Sequence, residues 1–256
     1  MPLQNDFFLA LVGLCFGSFL AALASRLPAG VPVTGRSHCP NCQAQLGFTE
    51  LIPVLSFVLL RGRCKHCGAR ISPAYPTLEI ATAVIVPAFM HRYGMGAEGV
   101  LNLIIAFHFV VLAGSDWLYG ILPDRILASL LCFTLLLKLL SGRKAFWSGL
   151  AGGLLGFLFL YAVILLRPDA IGAGDVKMAG VVGLYMGASR VFPALGLSFV
   201  LAAGYALPLL ALGKKKPHDV LPLGVFLSAG SLMVSLAQLP QLSAILLNHQ
   251  YAAVWS

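Results

Sequence analysis

Polar and apolar residues fall into long alternating blocks along this chain, with no short two-residue period. Apolar runs of roughly 20 residues, the length that crosses about 30 Å of hydrocarbon, lie near 7–26, 74–91, 100–119 and 126–141. Four more follow near 148–166, 176–190, 192–212 and 221–247. The pattern predicts an all-α polytopic membrane protein with about eight transmembrane helices. The run near 176–190 is short for a span, which predicts a tilted, broken or only partly membranous segment. The first run lacks the basic stretch of a secretory signal, Asp6 being the only charge before it, and is expected to remain attached.

One polar stretch interrupts these blocks, from Pro28 to Ser72. It divides the chain into a first transmembrane helix (1–27), a small aqueous module (28–73) and a helical membrane domain (74–256). A module this short owns little core, and such units usually need a metal or disulfides. It carries Cys39-Pro-Asn-Cys42 and Cys64-Lys-His-Cys67, two C-x-x-C pairs separated by 21 residues. Four thiolates so spaced close a tetrahedral zinc site, each pair giving two ligands from one tight turn, with Asn41 and Gly68 suited to left-handed positions. Two disulfides or a redox pair are the competing readings. A cytoplasmic location disfavours the first, and the absence of a thioredoxin-like strand-helix context disfavours the second. Four protein ligands leave no position for a catalytic water, so the metal's expected role is structural. Cys15 and Cys132 lie in apolar runs and are expected to be buried packing residues.

Composition sharpens the membrane reading. Of 256 residues 59% are hydrophobic and 10% charged, whereas a soluble domain is about half apolar and a quarter charged. The net charge of +8 does not point to nucleic acid, because the basic residues are scattered over short loops. They report orientation instead. With the N-terminus outside, twelve Lys and Arg fall inside and five, Arg92, Lys138, Arg143, Lys144 and Arg190, fall outside. The module and the helix ends at 116 and 175 then face the cytoplasm.

Acids that touch membrane segments are expensive and therefore informative. Asp116 ends an apolar run in GSDWLYGILPD. Asp175 stands in IGAGDVKMAG, where Gly172 and Gly174 let a backbone approach closely. Taken singly, Asp175 reads equally well as a helix N-cap, and Asp116 as a partner of Arg125. Together, two carboxylates at one depth can share a proton and drive water onto a peptide carbonyl, one acting as base and the other as acid. Glu79, a third acid in a membrane segment, reads as a structural polar contact slightly ahead of direct chemistry. His108 reads as a histidine satisfied within a helix bundle. No H-E-x-x-H, G-x-S-x-G, P-loop or dinucleotide fingerprint offers another catalytic plan.

These residues make the chain resemble the type IV prepilin peptidases, bacterial inner-membrane enzymes of the GxGD aspartic protease class. The likeness runs through GSFLAALASRLP, HCPNC, ELIPVLSF, RCKHCG, ISPAYPTLE, DWLYGILP and GAGDVK, in that order. It implies a multi-pass protein of the bacterial inner membrane that removes a short basic leader from prepilins or pseudopilins of a pilus or secretion system on the cytoplasmic side. It implies Asp116 and Asp175 as catalytic and Cys39, Cys42, Cys64 and Cys67 as the cysteine pairs of the metal site, and Gly172, Gly174, Lys177 and Glu79 are expected to support the aspartates. Many members also methylate the new N-terminus with S-adenosylmethionine, a cofactor expected here only if that activity is retained. Two departures count against it: Ala21 and Leu51 stand where the family usually shows asparagine. A zinc-ribbon membrane scaffold or transporter without protease activity is the rival class, since intramembrane acids also mark ion pathways.

Overall fold

The computed structural model describes residues 2–167, 171–213 and 221–237, and among them it is all-helical apart from two isolated bridges. In chain order come α1 (Pro2–Arg26), a short α2 (Leu55–Leu59), α3 (Ala74–Tyr93), α4 (Ala97–Tyr119), α5 (Asp124–Leu140), α6 (Arg143–Leu166), α7 (Ala173–Met186), α8 (Val191–Ala211) and α9 (Leu223–Leu236). Each expected apolar run overlaps a helix, though not all of these helices are long enough to be spans. Among the described residues four, Asn5–Arg26, Ala97–Tyr119, Arg143–Leu166 and Val191–Ala211, are long and apolar enough to cross a membrane, against the eight expected. α7 has 14 residues, which at about 1.5 Å per residue is roughly 21 Å, as the short run foretold. The expected last run, 221–247, extends past Ala237 and lies partly outside the described residues.

α4 is the hub, because its residues are apolar on all sides and need neighbours all round. Ile105, Phe109 and Leu112 face one core shared with α5, α7, α8 and α9, while Ala106, Val110 and Val111 face a second core shared with α1 and α3. Lipid tails are as apolar as leucine, so close backbone packing, and not burial from water, holds such helices together. The glycines supply it. Gly13 and Gly17 of α1 lie against α3, where a Cβ on Gly13 would sit 2.6 Å from the Thr82 carbonyl oxygen and one on Gly17 2.7 Å from the Glu79 Cα. Gly152 and Gly156 of α6 likewise press on Gly183 and Ala179 of α7. Other large apolar side chains point outward, among them Leu154, Leu165 and Val200.

The helices run antiparallel in sequence, so the ends of α1, α4, α6 and α8 and the starts of α3, α5, α7 and α9 share one end of the bundle. The module joins there. Arg26, the last residue of α1, ties it down by donating to Val33 O at 2.8 Å, Gly35 O at 3.3 Å and Ser37 Oγ at 3.2 Å. Cys15 and Cys132, expected to be buried, are exposed on the outer helix faces. A cysteine is small and apolar enough to face lipid as well as core.

Candidate functional site

Asp116 occupies the last turn of α4, which Gly120 closes in a left-handed conformation at φ 65°. Ser115 Oγ donates to Ile121 O at 2.6 Å and so fixes the loop that leads to Leu122 and Pro123. The Asp116 carboxylate is 6% exposed, and the backbone N–H of Val225, at the start of α9, donates to its Oδ2 at 3.2 Å. A helix N-terminus presents unpaired N–H groups that welcome an anion. Among the described residues no cation pairs with Asp116, and Arg125 is exposed. The ion-pair reading of Asp116 is thereby replaced by a backbone-held carboxylate.

Asp175 lies in the first turn of α7, two residues past its helical start. It is not the N-cap; that position is Gly172, in extended conformation. Asp175 reaches back toward the Gly172 N–H and is near enough to Asp116 for the two to interact as like charges. Leu122 packs against the heads of both α7 and α9. A Cβ on Gly174 would lie 3.3 Å from Leu122 Cβ, and one on Gly224 2.8 Å from Leu122 Cδ2 and 3.0 Å from Asp116 Oδ2. Three helix ends and one loop therefore converge around Leu122, with Gly174 and Gly224 allowing the close approach.

The other residues singled out by sequence lie at varying distances from this point. Gly172 and Gly174 are in it. The Lys177 Nζ is directed to Asp124 Oδ1 at 2.8 Å, an exposed pair worth little. Glu79 is buried in α3 and accepts the Val54 N–H at 2.7 Å. Val54 is held at φ 60°, ψ −47°, with the Leu55 N–H bonded to Pro53 O at 2.6 Å. That is the rare positive-φ γ-turn, strained for a β-branched residue, so Glu79 acts as the anchor of a tight strap between module and bundle. His108 donates from Nδ1 to Ile104 O at 2.7 Å, and its Nε2 is hydrogen-bonded to Ser129 Oγ at 2.9 Å, as a satisfied bundle histidine should be.

In the module the four cysteine sulfurs all lie within 4.8 Å of one another. Cys39 Sγ and Cys67 Sγ are 3.9 Å apart, close to the roughly 3.8 Å edge of a tetrahedron with zinc–sulfur bonds of about 2.3 Å. None of the six cysteines is in a disulfide. Each pair rides a tight turn: the Cys39 N–H bonds Ala44 O at 2.9 Å and the Cys64 N–H bonds Ala69 O at 2.8 Å. Gly68 takes the left-handed position at φ 71°, but its counterpart in the first turn is Gln43 at φ 57°, not Asn41. Asn41 Nδ2 instead donates to Cys67 Sγ at 3.5 Å. The Ala69 N–H and that amide pull the Cys67 thiol down to about 6. Cys42, although its sulfur accepts the Ala44 N–H, is pushed up to about 11 by burial and by the surrounding sulfurs. Four adjacent thiols resist common ionisation unless a cation joins them, and the donor set and spacing fit a soft divalent metal.

Residues 103–207 match the family described as Type IV leader peptidase family, and residues 11–93 match the Bacterial Peptidase A24 N-terminal domain. A Bacillus subtilis protein named prepilin leader peptidase/N-methyltransferase is 32% identical over 89% of this chain and 92% of its own length. The chain belongs to the type IV leader peptidase family. Proteins of the same name from Myxococcus xanthus and Burkholderia pseudomallei are 34% and 28% identical, over 78% and 87% of this chain and 65% and 82% of theirs. No solved structure matches. The two matched regions divide near the α3–α4 connection, so Asp116 and Asp175 fall in the 103–207 region while Cys39, Cys42, Cys64 and Cys67 fall in the 11–93 region. Sequence reasoning missed Leu122, Gly224 and Val225. The signal for the last two was Pro222-Leu-Gly-Val at the head of the final apolar run, a helix start carrying glycine in its first turn.

Proposed function

We propose that the chain is a membrane endopeptidase that cleaves the leader peptide of type IV prepilins or pseudopilins, using Asp116, Asp175 and an activated water. The observation that supports this reading is the convergence of the end of α4, carrying Asp116, with the start of α7, carrying Asp175, and the start of α9, with no cation paired to either aspartate among the described residues. Two such groups share one proton. The ionised member takes a proton from water as the water attacks the scissile carbonyl. The protonated member donates to the carbonyl oxygen and then supplies the proton that the leaving amine needs. The backbone N–H of Val225 keeps the Asp116 carboxylate aimed, and Gly172, Gly174 and Gly224 leave room for an extended peptide. Membership of a leader peptidase family disfavours the scaffold or transporter reading.

The four cysteines hold zinc as a structural ion, leaving no ligand position for water. All eight long helices lie in the bacterial inner membrane, α7 and α9 spanning it only in part. The aspartates and the module face the cytoplasm, where twelve of seventeen basic residues fall. The division into 1–27, 28–73 and 74–256 follows the same plan. The test is direct: incubate the purified protein with a prepilin and look by mass spectrometry for loss of the leader. An intact substrate, with a well-folded enzyme, would overturn the proposal. The same spectrum reads the new N-terminus and so reports on S-adenosylmethionine-dependent methylation.

A further inference from the structure

We propose that the end of the bundle opposite the aspartates contains a binding site for a phosphate group. A cavity of about 190 Å³ opens there, lined by three cations: Arg92 at the end of α3, Lys138 at the end of α5 and Arg190 just before α8. One carboxylate, Glu98, shares the cavity, and it accepts a hydrogen bond from Ser141 Oγ at 3.2 Å. Among the described residues no ion pair includes Arg92, Lys138 or Arg190. The cavity therefore holds an excess of positive charge.

The rest of the wall is already fixed. The Tyr185 hydroxyl donates to Asn102 Oδ1 at 2.8 Å, and Asn102 Nδ2 donates to Glu98 O at 2.8 Å. These bonds stiffen the wall without neutralising it. The Lys138 stem lies along α6, where a Cβ on Gly149 would be 3.2 Å from Lys138 Cγ, so α6 leaves space for that side chain. Cations are scarce on this side of the membrane by the usual charge bias, yet three of the five converge on one cavity from three elements. Like charges so gathered repel unless an anion lies among them. Two guanidinium forks and an ammonium offer the donors that a tetrahedral, multiply charged oxyanion uses, and more than one carboxylate needs. The cavity opens at the ends of α3 and α5, where a membrane-embedded bundle meets lipid headgroups, so an anionic lipid and free phosphate are the two sources of the group.

The experiment uses the whole protein in neutral detergent and counts bound lipid by native mass spectrometry after adding phosphatidylglycerol or phosphatidylcholine. Wild type should retain phosphatidylglycerol preferentially, and the double variant Lys138→Gln/Arg190→Gln should lose that retention by about tenfold or more. Arg143→Gln/Lys144→Gln, which removes two charges near the same end but outside the cavity, should leave it unchanged. If the first double variant fails to fold, Arg92→Gln, at an exposed position, carries the test. Inorganic phosphate separates the sources: displacement of phosphatidylglycerol means the site takes free phosphate too, and no displacement means the lipid is the ligand. Equal retention of both lipids, or equal loss in the Arg143/Lys144 variant, would overturn the proposal. The site is independent of the peptidase reading, since neither aspartate enters it.

Discussion

The Val225 N–H donates to Asp116 Oδ2 at 3.2 Å, joining the last turn of α4 to the first turn of α9 across more than a hundred residues of chain. A carboxylate fixed by backbone at one oxygen keeps the other available to water or substrate. The same bond makes the head of α9 part of the proposed active centre, although α9 carries no acid among its described residues.

Gly224 should therefore matter to activity more than to folding. A Cβ there would lie 3.0 Å from Asp116 Oδ2 and 2.8 Å from Leu122 Cδ2, so Gly224→Ala pushes the carboxylate and the loop apart. Misplacing a reacting group by about 1 Å costs on the order of a hundredfold. Leader cleavage should fall by that order while detergent-solubilised yield stays near wild type, and unchanged cleavage would show that α9 does not aim Asp116.

The aspartates could be singled out in the sequence because a charge beside an apolar run is conspicuous. What held them could not. Leu122 and Val225 are ordinary residues whose role exists only once α4, α7 and α9 meet, and no local period encodes that meeting. Lys177 follows the GAGD motif closely, but one helical turn carries it to Asp124. The cysteine spacing foretold the cluster because four equivalent ligands in two tight turns leave few arrangements. Asn41 and Gln43 exchanged roles within that turn because either can take a left-handed position, and only the hydrogen bond from Asn41 to Cys67 decides between them. The eight helices were readable as apolar blocks. Their close pairing was hidden in glycines whose partners lie on other helices.

Those glycines give a stability prediction. A Cβ on Gly183 of α7 would collide with the carbonyl of Gly152 on α6, and overpacking of this kind costs about 1–3 kcal/mol. Gly183→Ala should lower the thermal unfolding temperature in detergent, and cleavage should follow because α7 carries Asp175. Gly204→Ala, with nothing within 4 Å of the new Cβ, serves as the control and should be neutral or slightly stabilising. Equal unfolding temperatures for the two variants would contradict the close α6–α7 contact.

The metal module predicts both stoichiometry and reactivity. The purified protein should carry about one zinc per chain, and Cys39→Ser or Cys64→Ser should release it. After chelation the thiols should differ sharply in alkylation, read by peptide mapping. Cys67, exposed and drawn down to about 6 by the Ala69 N–H and Asn41, is largely thiolate at neutral pH. Cys42, pushed up to about 11, stays protonated. Cys67 should react first, with a rate that falls as pH drops through about 6, since only the thiolate attacks. Restored zinc should protect both.

Orientation is checked by reporters. One fused after Gly213, at the end of α8, should behave as cytoplasmic, and one after Gly142, between α5 and α6, as external. The two sites lie at opposite ends of the bundle, so they must differ whichever way it sits. A reversed pair would put the aspartates and the module on the outer side and remove the leader's basic segment from their reach.

The dyad itself is tested by Asp116→Asn and Asp175→Asn. Each exchange keeps the shape and takes away an ionisable oxygen, so helix packing and yield should persist while the shared proton is lost. Each single variant should abolish leader cleavage. The double variant should be little worse than either, because groups that act as one catalytic unit are strongly non-additive. A purely structural role gives a different pattern. Asparagine at position 175 could still bond the Gly172 N–H, and asparagine at 116 could still accept from Val225, so both variants would then cleave nearly normally. If Asp116 only answered Arg125, Arg125→Ala would copy its loss; exposed and unpaired with it, Arg125 should be dispensable. Cleavage must be scored beside unfolding temperature for all four variants, since only loss of activity with retained folding assigns the two carboxylates to chemistry.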